Sequence, residues 1–579
     1  MSLSRKIKDR IKDGFFRDMW KEAKWMFRYI RRYRFAVYIH ILLGIIATVM
    51  SLLSSVAMKW LIDAVTGFNA RSIWPSVGFM AGMMVGSVVM QALSSRVAAI
   101  INIKVQNGIQ AEVYDRMLRT DWQLLEAFHS GDLMNRLNND VGAVAGGITS
   151  LIPSFVSGSV QFVGSLIIIL FYDPVMALIA LIGAPISVIA SRALMSRMRE
   201  YNKRMKAISS DVMSFHEDSF RNLTTVKSFG LMDLFSARMK DMQKTYRDAY
   251  LDYNRFSVVA SMVLGIVGLL ISAGCFGWGV YRLWANDISY GAMTMFLQLT
   301  VMLRSAFSTI IGLVPTAISI TTSAGRVMAV IELPEEDGAR EKCGIPENVT
   351  VVLDKVSFSY SDSETVLDDA EFEAKPGELV AITGASGEGK TTIIRLLLGL
   401  VRPGEGRVLL RGENGETVEV SAATRDAFSY VPQGNTIFAG TIADNLRMVK
   451  PDADDEELWR ALTVACADGF VSKLPRGIYS ETGEMGRGFS EGQAQRIAVA
   501  RALLKGAPIM LLDEATSALD EATERKMLKN LTECGLVKTC IIVTHRPATA
   551  EICSRRFILK GTAVAEDCSR ETKETAGVL

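Results

Sequence analysis

Long apolar stretches fill the N-terminal half of the chain, near 35–64, 76–104, 144–171, 174–196, 257–284 and 290–320. Each is long enough to cross a hydrocarbon layer of about 30 Å as a helix. Only Tyr172 and Asp173 part the third stretch from the fourth, which predicts a hairpin with a tight turn. Polar segments at roughly 105–143 and 197–256 separate the second stretch from the third and the fourth from the fifth. Ahead of the first span, Phe16, Met19, Trp20, Ala23, Phe27 and Ile30 recur at helical spacing, with Arg17, Lys21, Lys24, Arg28, Arg31 and Arg32 mostly on other faces. That pattern predicts an amphipathic helix lying in the headgroup plane, the alternative being a surface helix packed on a core. At Glu332, Pro334, Glu335, Glu336, Asp337 and Gly338 the apolar pattern breaks. Beyond the break, the short runs Leu379–Thr383, Ile509–Leu512 and Cys540–Thr544 alternate with helical patterns and read as buried parallel strands.

The expected organisation is therefore an interfacial helix within 1–34, a six-helix transmembrane domain over 35–328, a linker at 329–345 and an α/β domain over 346–579. Composition agrees with two unlike halves. Hydrophobic residues reach 49% and mean hydropathy is +0.23, yet 22% of residues are charged. Lys and Arg crowd 197–256, whereas the opposite loops carry little beyond Arg71 and Arg282. The positive-inside bias then places both termini and both long polar segments in the cytoplasm. No signal peptide precedes the spans, which fits a multi-pass protein of the cell membrane. A net charge of +2 argues against nucleic acid as a partner. Seven cysteines without a C-x-x-C pair read as reduced thiols.

Charges within the spans are costly and point to function or pairing. Lys59 and Asp63, four apart, are expected to pair on one helix face. Arg96 and Arg304 have no acid within their own spans. They are candidates to face a cavity for an anionic or phosphate-bearing cargo, the alternative being pairing with carbonyls or with Gln91, Gln161 or Gln298.

The α/β half carries the chemistry. One strand runs into Gly384, Ala385, Ser386, Gly387, Glu388, Gly389, Lys390 and Thr391, fitting G-x-x-x-x-G-K-[ST], with Thr392 next. Backbone N–H groups of such a loop curl around phosphate oxygens, and the following helix adds its positive end. Lys390 is suited to the β- and γ-phosphates and Thr391 to magnesium. A second strand, Ile509 to Leu512, ends in Asp513 and Glu514, the first suited to magnesium and the second to polarising water. His545, after a third strand, is placed to contact the γ-phosphate. The expected cofactors are ATP and Mg2+.

At these residues the chain resembles an ATP-binding cassette (ABC) exporter half-transporter over essentially its whole length. Phe489-Ser490-Glu491-Gly492-Gln493 stands where that family has Leu-Ser-Gly-Gly-Gln. Tyr360 resembles the aromatic that stacks on adenine, Gln433 the loop glutamine that links magnesium to the membrane domain, and Asp520 in Ser517-Ala518-Leu519-Asp520 closes the D-loop. Glu484 resembles part of the exporter-specific loop. The resemblance implies a dimer closing head-to-tail on two ATP molecules, each held between one chain's Lys390 loop and the other's Ser490, Gly492 and Gln493. It also implies coupling segments near Trp122–Phe128 and Leu231–Arg238. Glu491 and Phe489 depart from the signature, which leaves homodimer, slightly favoured, and heterodimer both open. The expected function is ATP-driven export, by alternating access as a dimer, of a lipophilic small molecule, lipid or peptide that can also be anionic. The alternative is an ATPase-gated channel or sensor.

Overall fold

The computed structural model of the chain describes residues 15–67, 70–128, 130–339, 341, 343–346, 348–361, 364–385, 387–483, 488–535 and 539–567. Two compact units emerge. One holds the chain up to Tyr114 together with Gly131–Ile331, and the other holds Asp115–Ser130 with the chain from Glu332 onward.

Six long helices carry the apolar stretches: Arg34–Thr66, Ala70–Arg119, Val141–Tyr172, Pro174–Arg221, Met232–Trp284 and Tyr290–Ile331. Those of 48, 50 and 53 residues are about 70–80 Å long at the helical rise, far more than a bilayer core, so their polar parts continue into water. Five of the six meet the length and apolarity needed to cross a membrane; the apolar start of the other, Pro174–Gly183, is short among the described residues. Close packing in lipid relies on small residues. Gly147 and Gly164 of the third span supply them, since a Cβ at either would come within 2.6 Å of Ile320 or Leu52.

The predicted hairpin shrinks to a single residue. Asp173 alone separates the third span from the fourth, and its carboxylate caps the fourth by accepting from the N–H groups of Val175 and Met176 at 2.9 and 3.0 Å. The same buried carboxylate accepts from Arg282 Nε at 3.0 Å and Trp278 Nε1 at 3.4 Å, tying the fifth span to this turn. Lys59 pairs with Asp63 at 3.0 Å, as their spacing predicts, and Asp63 also accepts from the N–H of Gly291 at the start of the sixth span.

The helix Phe15–Arg32 precedes the spans. Its buried face is Trp25, Met26 and Tyr29, with the Tyr29 hydroxyl donating to Glu112 at 2.8 Å. Phe27, from the expected stripe, is 55% exposed. The packed face of the helix is therefore offset from the expected stripe, of which Ala23 and Ile30 are half-buried. The side chains of Phe16, Met19 and Trp20 lie outside the described residues.

In the other unit the strands are β1 (Thr350–Ser361), β2 (Glu364–Ala374), β3 (Leu379–Gly384), β4 (Glu405–Arg411), β5 (Thr417–Glu419), β6 (Phe428–Val431), β7 (Gly440–Thr441), β8 (Glu481–Thr482), β9 (Ile509–Asp513), β10 (Thr539–Val543), β11 (Arg555–Lys560) and β12 (Ala563–Glu566). The main sheet has the order β12-β11-β3-β10-β9-β6, parallel throughout except for β12. Alternate residues of its central strands feed opposite cores: Leu379, Ala381, Met510, Leu512, Cys540 and Ile542 on one side, Val380, Ile382, Ile509, Leu511, Ile541 and Val543 on the other. Both faces are covered, which is why these strands read as unbroken apolar runs. The antiparallel sheet β2-β1-β4-β5 packs over the second core.

Asp121 caps the short helix Trp122–Glu126 and joins the linker: its N–H donates to the Pro334 carbonyl, Thr120 bridges Glu335, and Arg116 pairs with Glu335. This piece of the first polar segment therefore belongs to the α/β unit.

Replacing Asp173 by Ala would uncap the fourth span and leave Arg282 with Asp287 as its remaining carboxylate. The expected cost is about 1–2 kcal/mol, mainly the lost cap, read as a lower unfolding temperature in detergent.

Candidate nucleotide site

Strands β3, β10, β9 and β6 are neighbours and parallel, so their C-terminal ends share one edge of the sheet. Ligands of open parallel sheets bind at that edge. The phosphate-loop candidates follow β3, Asp513 ends β9 with Glu514 after it, His545 lies two residues past β10, and Gln433 lies two past β6. Residues far apart in sequence are thereby gathered.

After β3 the chain turns through Gly387 and Gly389 with φ of +89° and +100°, then enters the helix Lys390–Leu397. At Gly389 a Cβ would also lie 2.5 Å from Val366, so the position requires glycine twice over. Lys390 is buried, and its Nζ donates to the carbonyls of Gly384 at 3.0 Å and Ala385 at 2.6 Å. The N–H of Ala385 donates to Glu388 Oε2 at 2.6 Å. The loop is thus closed on its own side chains. Ser386 lies outside the described residues.

Asp513 is 2% exposed, and burial holds its carboxyl above the usual carboxylate range against a hydrogen bond from Thr391. Burial and the Asp513 charge together push the Tyr430 phenol up to about 12. Glu514 has φ of +47°, a left-handed conformation that costs a non-glycine residue about 1–3 kcal/mol. Its N–H donates to the Val543 carbonyl at 3.0 Å, locking that turn to β10. Gln433 Nε2 donates to Glu514 Oε2 at 2.6 Å, and His545 Nδ1 lies 3.6 Å from Glu514 Oε1. Strain at a carboxylate held by two partners is a mark of a functional position.

Tyr360 is 39% exposed; its hydroxyl lies 3.3 Å from Thr392 Oγ1 and accepts from Arg395 Nη1 at 2.8 Å. Ser490 caps the helix Glu491–Lys505 in a reciprocal box: Gln493 N–H donates to Ser490 Oγ at 3.3 Å and Ser490 N–H to Gln493 Oε1 at 2.9 Å. Glu491 sits exposed in the first turn, where a carboxylate favours the helix end. A Cβ on Gly492 would lie 2.7 Å from the Ala518 carbonyl, so the signature and the D-loop fit only through this glycine. Asp520 is a cap as well, accepting from the N–H and hydroxyl of Thr523 at 2.9 and 2.8 Å, which lowers its carboxyl pKa.

Some parts of the site escaped sequence reasoning. Arg546 donates to the carbonyls of Ser517 and Leu519 and to the buried Glu524, fixing the D-loop from below. Gln495 grips the same loop through Ser517 and the N–H of Ala518. No spacing in the sequence links Arg546 to Glu524. Glu484 lies outside the described residues.

In the membrane unit a cavity of about 600 Å3 opens between the first, second, third and sixth spans. Thr48, Ser51, Ser87, Gln91, Ser95, Gln161 and Met302 are among its lining residues. Arg96 and Arg304 are not. Arg96 is exposed beside the lining Ser95, and Arg304 lays its guanidinium on Gly268 of the fifth span.

The ABC transporter transmembrane region family matches residues 37–307, and the ABC transporter family matches 367–517. The chain belongs to the ABC transporters. A multidrug resistance ABC transporter ATP-binding and permease protein of Lactococcus lactis subsp. cremoris is 28% identical over 90% of this chain and 87% of its own length. An ATP-dependent lipid A-core flippase of Methylobacillus flagellatus is 29% identical over 81% of this chain and 80% of its own. The solved structure of a bacterial Atm1-family ABC exporter with ATP bound shares the fold, with a TM-score of 0.79 at 23% identity, covering 95% of this chain and 97% of that one. This ABC transporter is a multi-pass membrane protein that binds ATP and couples its hydrolysis to transport. One membrane region and one ATP-binding domain make half of an ABC exporter, so the chain works paired with another.

Changing Arg546 to Ala would leave the buried Glu524 charge with only the Thr549 hydroxyl and release the D-loop carbonyls. A loss of about 3 kcal/mol or more in stability is expected, read by urea unfolding, together with lower ATPase activity in the fraction still folded.

Proposed function

We propose that this ABC transporter exports a lipophilic molecule carrying hydrogen-bonding groups, as a homodimer, by alternating access driven by ATP. The observation that carries the catalytic part is the strained Glu514 held between Gln433 and His545 on the same sheet edge as Lys390. In this reading Lys390 and the N–H groups of Gly387, Gly389, Lys390, Thr391 and Thr392 hold the phosphates, and Tyr360 stacks on adenine. Glu514 accepts the proton of the attacking water, Gln433 orients that carboxylate, and His545 contacts the γ-phosphate. Ser490, Gly492, Gln493 and Asp520 complete the site of the facing chain.

The donors at the edge suit magnesium. The Thr391 hydroxyl, the Asp513 carboxylate and the Gln433 amide offer the oxygen ligands a hard dication takes. Bound there, the ion supplies charge neutralisation at the phosphate oxygens.

The substrate reading rests on the cavity. The side chains of Gln91, Ser51 and Ser95 line it without a side-chain hydrogen bond among the described residues, and no charged side chain is among its lining residues. An amphipathic cargo fits such a wall, apolar against Leu52, Val88 and Met302 and polar against the amides and hydroxyls. An anionic group on the cargo would meet Arg96 or Arg304 outside this cavity. The basic 197–256 segment supports placing both termini and the ATP-binding domain in the cytoplasm.

The test is the magnesium-dependent ATPase of this chain alone in lipid, beside Glu514→Gln. The expected result is an active wild type and a rate at least about 100-fold lower in the variant, the usual worth of a general base. A well-folded but inactive wild type would overturn the homodimer in favour of a partner with an unaltered signature. Equal rates would remove Glu514 from the chemistry.

A further inference from the structure

The Arg395 side chain lies between two aromatic rings that belong to different parts of the chain. Its guanidinium carbon is 4.6 Å from the ring centre of Trp122 and 5.8 Å from that of Tyr360. Its Nη1 donates to the Tyr360 hydroxyl at 2.8 Å. Tyr360 Oη in turn meets Thr392 Oγ1 at 3.3 Å, one residue past the Thr391 of the phosphate loop. Trp122 opens the helix Trp122–Glu126 in the polar segment between the second and third spans, and packs against the core beneath β3.

We propose that Arg395 relays nucleotide occupancy at Tyr360 to Trp122, and so to the cytoplasmic segment that continues the second span. A guanidinium suits this position: it can stack on one ring while donating in its own plane to the hydroxyl on the other. Adenine arriving on the Tyr360 ring shifts that ring, and the hydrogen bond carries the shift to Arg395. Trp122 follows because Arg395 lies against its face. The segment transmits it as a body, since Arg119, Thr120 and Asp121 are bonded to the linker at Glu336, Glu335 and Pro334. The relay rests on the reading of Tyr360 as the adenine-stacking residue.

Trp122 is its own reporter. In the full-length transporter in lipid nanodiscs, subtracting the spectrum of Trp122→Phe isolates Trp122 emission. Saturating ATP without magnesium is expected to change that emission in the wild type. In Arg395→Gln the change should shrink at least about fivefold, the low end of ordinary coupling between two sites. Arg395→Lys keeps the charge without the planar fork and should recover part of it; this variant also serves if the glutamine variant is unstable. Tyr360→Phe, which keeps the ring and loses the hydroxyl, should resemble Arg395→Gln.

An undiminished Trp122 change in Arg395→Gln overturns the relay. Because the reading is taken at saturating ATP, weakened binding cannot imitate its loss. Titrating ATP into Tyr360→Ala checks the underlying reading separately: unchanged affinity there removes the adenine role of Tyr360. The two failures are therefore distinguishable.

Discussion

Triphosphate charge has to be met by groups fixed before the nucleotide arrives, and the parallel register of β3, β10 and β9 is what fixes them here. Because the three strands end side by side, the loop before Lys390, the Asp513–Glu514 pair and His545 share one edge without any bonding between their sequences. The strands themselves hold no chemistry. Their apolar residues alternate into two cores, and that burial pins the register to the residue. A slip by one position would put Leu512 at the strand end in place of Asp513.

The loop is closed on itself: Lys390 on the carbonyls of Gly384 and Ala385, Glu388 on the N–H of Ala385. These contacts hold the loop backbone in one shape around the Lys390 ammonium. Glu514 is held in the same way, its left-handed backbone fixed by β10 and its carboxylate by Gln433. Reactive groups are thereby kept in place, as pre-organised electrostatics requires.

Much of this was legible in the sequence because each signal has a local cause. Glycines at positive φ, a lysine behind them and an apolar strand ending in two acids each reflect one backbone turn or one burial pattern. Six apolar stretches likewise announce six helices. Long-range pairing was not legible. Nothing in the spacing joins Arg546 to Glu524, Arg395 to Trp122, or Asp173 to Arg282, since these pairs are set by how whole elements pack. The amphipathic helix before the spans shows the same limit: its periodicity was visible, but its buried face is Trp25, Met26 and Tyr29, chosen by the bundle it packs on. The cavity also lay beyond sequence reading, which named Gln91 and Gln161 only as partners for the costly arginines and passed over the hydroxyls that line it with them.

The central claim is that ATP turnover at the Lys390–Glu514 edge moves a cargo across the membrane in one direction. Inside-out proteoliposomes containing this chain, loaded outside with a lipophilic fluorescent dye bearing amide groups and with magnesium ATP, test it directly. The account predicts accumulation of dye in the lumen that stops on replacing ATP with a non-hydrolysable analogue and is absent in Glu514→Gln. Dye movement that equilibrates without accumulating, or runs equally in both directions while ATP is consumed, would contradict it and identify the chain as a gated pathway.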